Sequence, residues 1–117
     1  MYDIVVHDLI QLVKEVIVET LTIEEDRPAH IAKHNIIIDE VLEVLTSDYV
    51  YIAGRENRWL IIGKTDRKAF LTIVLGERPE KNIYGLITAR PARRKERNFG
   101  LDHSVGHLHV NEFRTTG

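Results

Sequence analysis

Between Asp48 and Arg90 the chain reads as four short runs rich in β-branched and aromatic residues, separated by polar breaks. The runs are Tyr49 to Ala53, Trp59 to Lys64, Ala69 to Leu75 and Ile83 to Ala89. The breaks carry Gly54 and Asn57, then Asp66, then Gly76, Pro79 and Asn82, which are residues that favour turns. Strands of this composition joined by short polar breaks predict an antiparallel meander. Pro91 closes the pattern, because it cannot donate to a ladder and is suited to the start of a helix.

The flanks of this meander predict helices. Ile4 to Thr20 is rich in apolar residues of mixed period, which predicts a helix to about Lys14 and a strand from Glu15 to Ile23. Asp26 can cap a short helix that carries Pro28 and runs to His34, where Asn35 tolerates the left-handed backbone that ends helices. Ile38 to Leu45 predicts a second helix, with Ile38, Val41, Leu42 and Leu45 at helical spacing and Asp39 and Glu40 favourably placed in its first turn. Ala92 to Phe99 predicts a short, very basic closing helix. The order of helices, then a four-stranded antiparallel meander, then a C-terminal helix indicates an α+β fold. With 117 residues in all, the chain has the length for one core. Residues 1–99 are expected to form one domain and 100–117 a partly disordered tail.

Composition removes several classes of chemistry. There is no cysteine, so disulfides, thiolate zinc sites and cysteine nucleophiles are excluded. No apolar run approaches the ~20 residues of a membrane span, and the first ten residues lack the basic start of a secretory signal. A cytoplasmic protein without membrane contact is the expectation. The net charge of −2 conceals a split along the chain. Met1 to Ala53 holds three basic and eleven acidic residues, whereas Gly54 to Arg97 holds twelve basic and five acidic. Such polarity can present a cationic face to a polyanion.

The densest cationic block is Arg90-Pro91-Ala92-Arg93-Arg94-Lys95-Glu96-Arg97. Arg90 ends a strand, and Arg94 and Arg97 share a face of the helix that follows. Guanidinium groups grip phosphate in bidentate fashion and would stabilise charge developing on a scissile phosphate. The competing reading is a solvated helix with an ion pair to Glu96. His30 and His34 lie four apart, a metal-ligand spacing, but lack the glutamate of a zinc hydrolase. A packed or surface histidine pair is the better reading, with His34 available as a general base. His103, His107 and His109 in the tail are read as incidental, and no metal or other cofactor is expected. Gly63-Lys64-Thr65 is not a phosphate-binding loop, because Arg58 stands where that motif needs glycine. Lys64 can still share a sheet face with Arg90. Trp59 is read as core, and Tyr49, Tyr51 and Tyr84 as sheet-face packing.

Several of these blocks together resemble the BrnT-like proteins. His30-Ile-Ala-Lys-His34-Asn-Ile, then Asp39-Glu-Val-Leu-Glu-Val-Leu45, is similar to the opening of that family. Gly54-Arg55, Arg58-Trp-Leu-Ile-Ile-Gly-Lys64-Thr65 and Ile87-Thr-Ala-Arg90-Pro-Ala-Arg93-Arg94-Lys95-Glu-Arg97 follow in the family's order. The resemblance spans about Glu15 to Phe99. It implies a RelE-like fold and the toxin of a type II toxin–antitoxin pair, a metal-independent endoribonuclease that cleaves mRNA. In such enzymes a 2′-hydroxyl attacks the adjacent phosphate. The resemblance carries over Arg55, Arg90, Arg94 and Arg97, with His34 and Lys64. Arg90, Arg94, His34 and Lys64 are then expected to be catalytic, and Arg55 and Arg97, with the neighbouring cations Arg93 and Lys95, to contact RNA. It implies RNA and a small DNA-binding antitoxin as partners, while the N-terminal extension offers a contact for a homodimer.

The sequence departs from the family pattern in three places. Arg93 and Ile37 stand where a Ser or Thr cap is usual, and Gly100 follows Phe99 where a Tyr is usual. Loss of that hydroxyl supports an alternative function, a catalytically inactive toxin-like domain that binds nucleic acid or protein.

Overall fold

The computed structural model describes residues 15–102. The expected helix ending near Lys14 and the tail histidines lie outside them. Strand β1 (Thr20–Thr22) is followed by α1 (Arg27–Ala32) and α2 (Ile38–Leu45). The meander then runs through β2 (Tyr49–Ala53), β3 (Arg58–Lys64), β4 (Phe70–Glu77) and β5 (Ile83–Pro91), and α3 (Arg94–Asp102) closes the order.

Among the described residues the sheet has five strands, in the order β1-β5-β4-β3-β2. The meander itself is antiparallel throughout, as expected. The addition is β1, which pairs parallel to β5 with Thr20 opposite Ile83 and Thr22 opposite Gly85, so the sheet is mixed rather than purely antiparallel. Of the strand expected over Glu15 to Ile23, only these three residues are in strand conformation. Asn82, at φ 64°, turns its carbonyl towards the incoming chain and accepts the Glu19 N–H at 2.9 Å.

The turns follow from their residues. Glu56 and Asn57 both adopt positive φ, and the Gly54 N–H donates to the Arg58 carbonyl at 2.8 Å. Asn35, at φ 63°, ends α1 as its side chain suggests. Asp26 stands at the N-cap of α1 but makes no capping bond, because its carboxylate is engaged by Arg27 at 2.8 and 3.0 Å. The Glu40 side chain reaches back to accept the Ile37 N–H at 3.1 Å, which supplies a cap that isoleucine cannot.

Helices α1 and α2 cover one sheet face. Ile31, Val41 and Val44 pack there on Tyr51, Trp59, Ile61, Ile73, Leu75 and Leu86. Val44 rather than Leu42 faces the sheet, and Leu42 is exposed. Tyr51 meets Trp59 edge-on at 6.0 Å, and the Tyr49 hydroxyl donates to the Val16 carbonyl at 2.8 Å. Burial raises the pKa of Tyr49, Tyr51 and Tyr84. The opposite face carries a smaller cluster of Val50, Ile52, Ile62 and Phe99, with Leu60 and Phe70 packed against it. Because both faces hold apolar residues, β3 and β4 are nearly continuous hydrophobic runs. Among the described residues no helix is long and apolar enough to cross a membrane.

Candidate nucleic-acid interface

The strand register sets out the second face as rows of side chains, since residues two apart share a face. Val50, Ile62, Thr72 and Arg90 form one row, and Ile52, Leu60, Val74 and Thr88 form the next. Beyond these lies a third, of Arg58, Gly76 and Gly85. Lys64 and Phe70 form the row at the opposite end.

Helix α3 covers the rows of Arg90 and Lys64, and Glu96 holds it there. Its carboxylate accepts both terminal nitrogens of Arg90, at 2.7 and 2.8 Å. It also accepts the Thr72 hydroxyl at 2.9 Å and the Arg93 N–H at 2.7 Å. The last bond is the glutamate half of a capping box and satisfies the N–H of the N-cap residue. Glu96 is 7% exposed. Burial alone would raise its pKa, but the hydrogen bonds from Arg90, Arg93 and Thr72, with the charge of Arg90, hold it at about 2. Hydrogen bonding to Glu96 raises the pKa of Arg90 in turn.

This linkage gives a pH prediction. A carboxylate with a depressed folded-state pKa stabilises the fold fully above its unfolded value, and that contribution is lost as pH falls towards the folded value. Acid unfolding should therefore show a loss of stability between about pH 4.5 and about pH 2. Glu96→Gln should flatten the curve in that window when urea midpoints are compared across pH.

The sequence-derived site residues fall into three places. Arg90, Arg93, Arg94, Lys95 and Arg97 lie at the junction of β5 and α3. All but Arg90 are exposed, and the Arg97 guanidinium also donates to the Ala92 carbonyl at 2.9 Å. His34 follows α1, which packs on the sheet face opposite α3, and among the described residues it meets this stretch of β5 only through His30. The two imidazoles meet edge-on at 6.1 Å, and His30 Nε2 lies 3.1 Å from the Thr88 hydroxyl, two residues before Arg90. Beside them Arg27 donates to the Ile87 carbonyl at 2.7 Å, on the stretch of β5 beyond its pairing with β1.

Lys64 shares the face of Arg90, but Phe70 and the last turn of α3 stand between them. Its ammonium lies 5.1 Å above the Phe70 ring, in a cleft of about 590 Å³ that Lys68 and Gly100 also line. Arg55 sits in the β2–β3 turn, at the far end of the sheet. Six residues of β3 separate that end from Lys64, about 20 Å at strand rise.

Three side chains hold places that the sequence reading did not give them. His30 is nearer to β5 than His34. Glu96 binds the strand arginine rather than its neighbours on the helix. Arg78 lies over Gly85, where a methyl group would overlap its guanidinium. Gly100 is buried, and a Cβ there would come within 2.9 Å of Phe70 and 3.2 Å of Ile62. The position after Phe99 is therefore packed against the sheet. Gly100→Tyr should lower stability by about 1–3 kcal/mol through overpacking, measured as a shift in denaturant midpoint.

No group of three or more metal-ligating side chains is gathered among the described residues. No family profile and no curated protein matches the sequence. The fold is shared with a solved ribonuclease toxin. That protein is BrnT of Brucella abortus, known from a crystal structure at 1.1 Å. The match has a TM-score of 0.52 at 18% identity and covers 64% of this chain and 97% of BrnT. It establishes a BrnT-like α+β fold.

Proposed function

We propose that this chain is a toxin of the type II kind that binds RNA and cleaves mRNA without metal, at the end of the sheet where β5 passes into α3. The observation that carries the reading is the arrangement along that junction, on a BrnT-like fold. Thr88, Arg90 and the exposed Arg93 and Arg94 follow one another within seven residues, and His30, whose ring meets that of His34, contacts Thr88. In this reading Arg93 and Arg94 hold phosphate and His34 takes the 2′-hydroxyl proton as that oxygen attacks the adjacent phosphorus; the P–O5′ bond breaks, the 5′-oxygen leaves with a proton from solvent, and a 2′,3′-cyclic phosphate remains. Arg90 orients the helix through Glu96. A small DNA-binding antitoxin that covers the cationic end, and a homodimer contact through the N-terminal extension, belong to the same proposal.

One observation favours the second reading, a binding module without catalysis. Both terminal nitrogens of Arg90 are held by Glu96, and Gly100 supplies no hydroxyl. Incubating the full chain with RNA in EDTA separates the readings. Cleavage products with cyclic phosphate ends support the enzyme. Salt-sensitive binding that leaves the RNA intact supports the module.

A further inference from the structure

The half of the second sheet face that α3 leaves uncovered has a chemistry of its own. Its middle is apolar, with half-buried Leu60, Val74 and Ile87. Ile87 joins them because the register shift between Val74 and Leu75 places an extra β5 residue there. A methyl added to Gly76 would lie 3.2 Å from the Ile87 side chain, which puts that side chain on this face. The outer border is cationic. Arg58 is exposed at the start of β3, opposite Gly76, and Arg78 lies flat over Gly85. The two glycines lower this end of the sheet so that a guanidinium can rest on the backbone. The inner border is the cationic start of α3.

We infer that this strip is a binding track for single-stranded RNA, with Arg58 and Arg78 holding phosphate at one end and the bases lying on Leu60, Val74 and Ile87. The inference rests on the RNA reading above and adds to it a second anchor and a length. Charge complementarity selects the occupant, since an apolar floor between two cationic borders suits a strand with planar bases and regularly spaced anions. Arg58 lies two rows along and two strands across from Arg90, about 16 Å from strand rise and strand spacing together. A footprint of about four nucleotides spans it, the lower end of the range for small single-strand-binding sheets.

The test uses the full chain and fluorescent, cleavage-resistant 2′-O-methyl oligonucleotides of increasing length. Affinity should rise with each nucleotide to about four and then level off. Arg58→Gln and Arg78→Gln should each weaken the longer oligomers and reduce the salt slope by about 0.7, while a dinucleotide binds as before. Gly85→Ala keeps every charge but displaces the Arg78 guanidinium, and should act in the same direction as Arg78→Gln. Thermal melts of each variant check that the fold is retained. If wild-type binding is lost in an Arg93→Gln/Arg94→Gln variant but unchanged in Arg58→Gln and Arg78→Gln, the track is wrong and the RNA reading stands. If the wild type binds no oligomer at low salt, both fall.

Discussion

Glu96→Ala should destabilise the protein by about 3 kcal/mol or more, the cost of leaving one member of a buried ion pair without its partner. The side chain accepts four hydrogen bonds within 2.9 Å. Its loss strips Arg90, Thr72 and the Arg93 N–H at once. For a domain of this size the melting temperature should fall by about 15 °C. Arg90→Ala should cost a comparable amount, because Glu96 is then the stranded charge. Combining Arg90→Met with Glu96→Leu should restore much of the loss, since an apolar pair of similar volume removes both desolvation costs. Additive losses in the double variant would contradict this account of α3. The consequence for function is practical. A loss of activity in Arg90→Ala is a loss of helix attachment before it is a loss of phosphate contact.

His34→Ala should lower RNA cleavage on the order of 10²-fold, the usual scale for removing a proton-transfer group. RNA affinity should change little, because the charge lies in the arginines. His34 is exposed and beyond the end of α1, so the variant should fold as the wild type does. His30→Ala removes the Thr88 contact as well, at a cost of about 1 kcal/mol. Single-turnover cleavage and equilibrium binding on the same preparations separate the two effects. Equal losses in binding and cleavage for His34→Ala would assign that histidine to RNA contact instead.

The parts of the fold that could be read in the sequence are those whose order is local. The meander was legible because each strand is followed within a few residues by its partner, and turn residues such as Asn57 mark the joins. The bounds of helix α2 were legible from its charged first turn and apolar content, but its buried face was not, since Val44 rather than Leu42 meets the sheet. Strand β1 was expected within Glu15 to Ile23, but its parallel place beside β5 was not legible, because its partner is more than sixty residues away. The candidate site was legible as a block of charge but not as a geometry. A carboxylate among five cations reads as a solvated ion pair. Only the register of Thr72 opposite Arg90 shows that Glu96 points into the sheet. Arg55 and Arg90 belong to one pattern of motifs and to opposite ends of one sheet. The strands that separate them carry no mark of that distance in the sequence.

The central claim is that the cationic start of α3 takes RNA. The most direct measurement is the salt dependence of single-stranded RNA binding by the full chain, compared with a variant carrying glutamine at Arg93, Arg94, Lys95 and Arg97. The account predicts a linear fall of log affinity with log salt, with a slope of about 0.7 per phosphate neutralised, and a much shallower slope in the variant. Equal affinity and equal slope in the two proteins would contradict it.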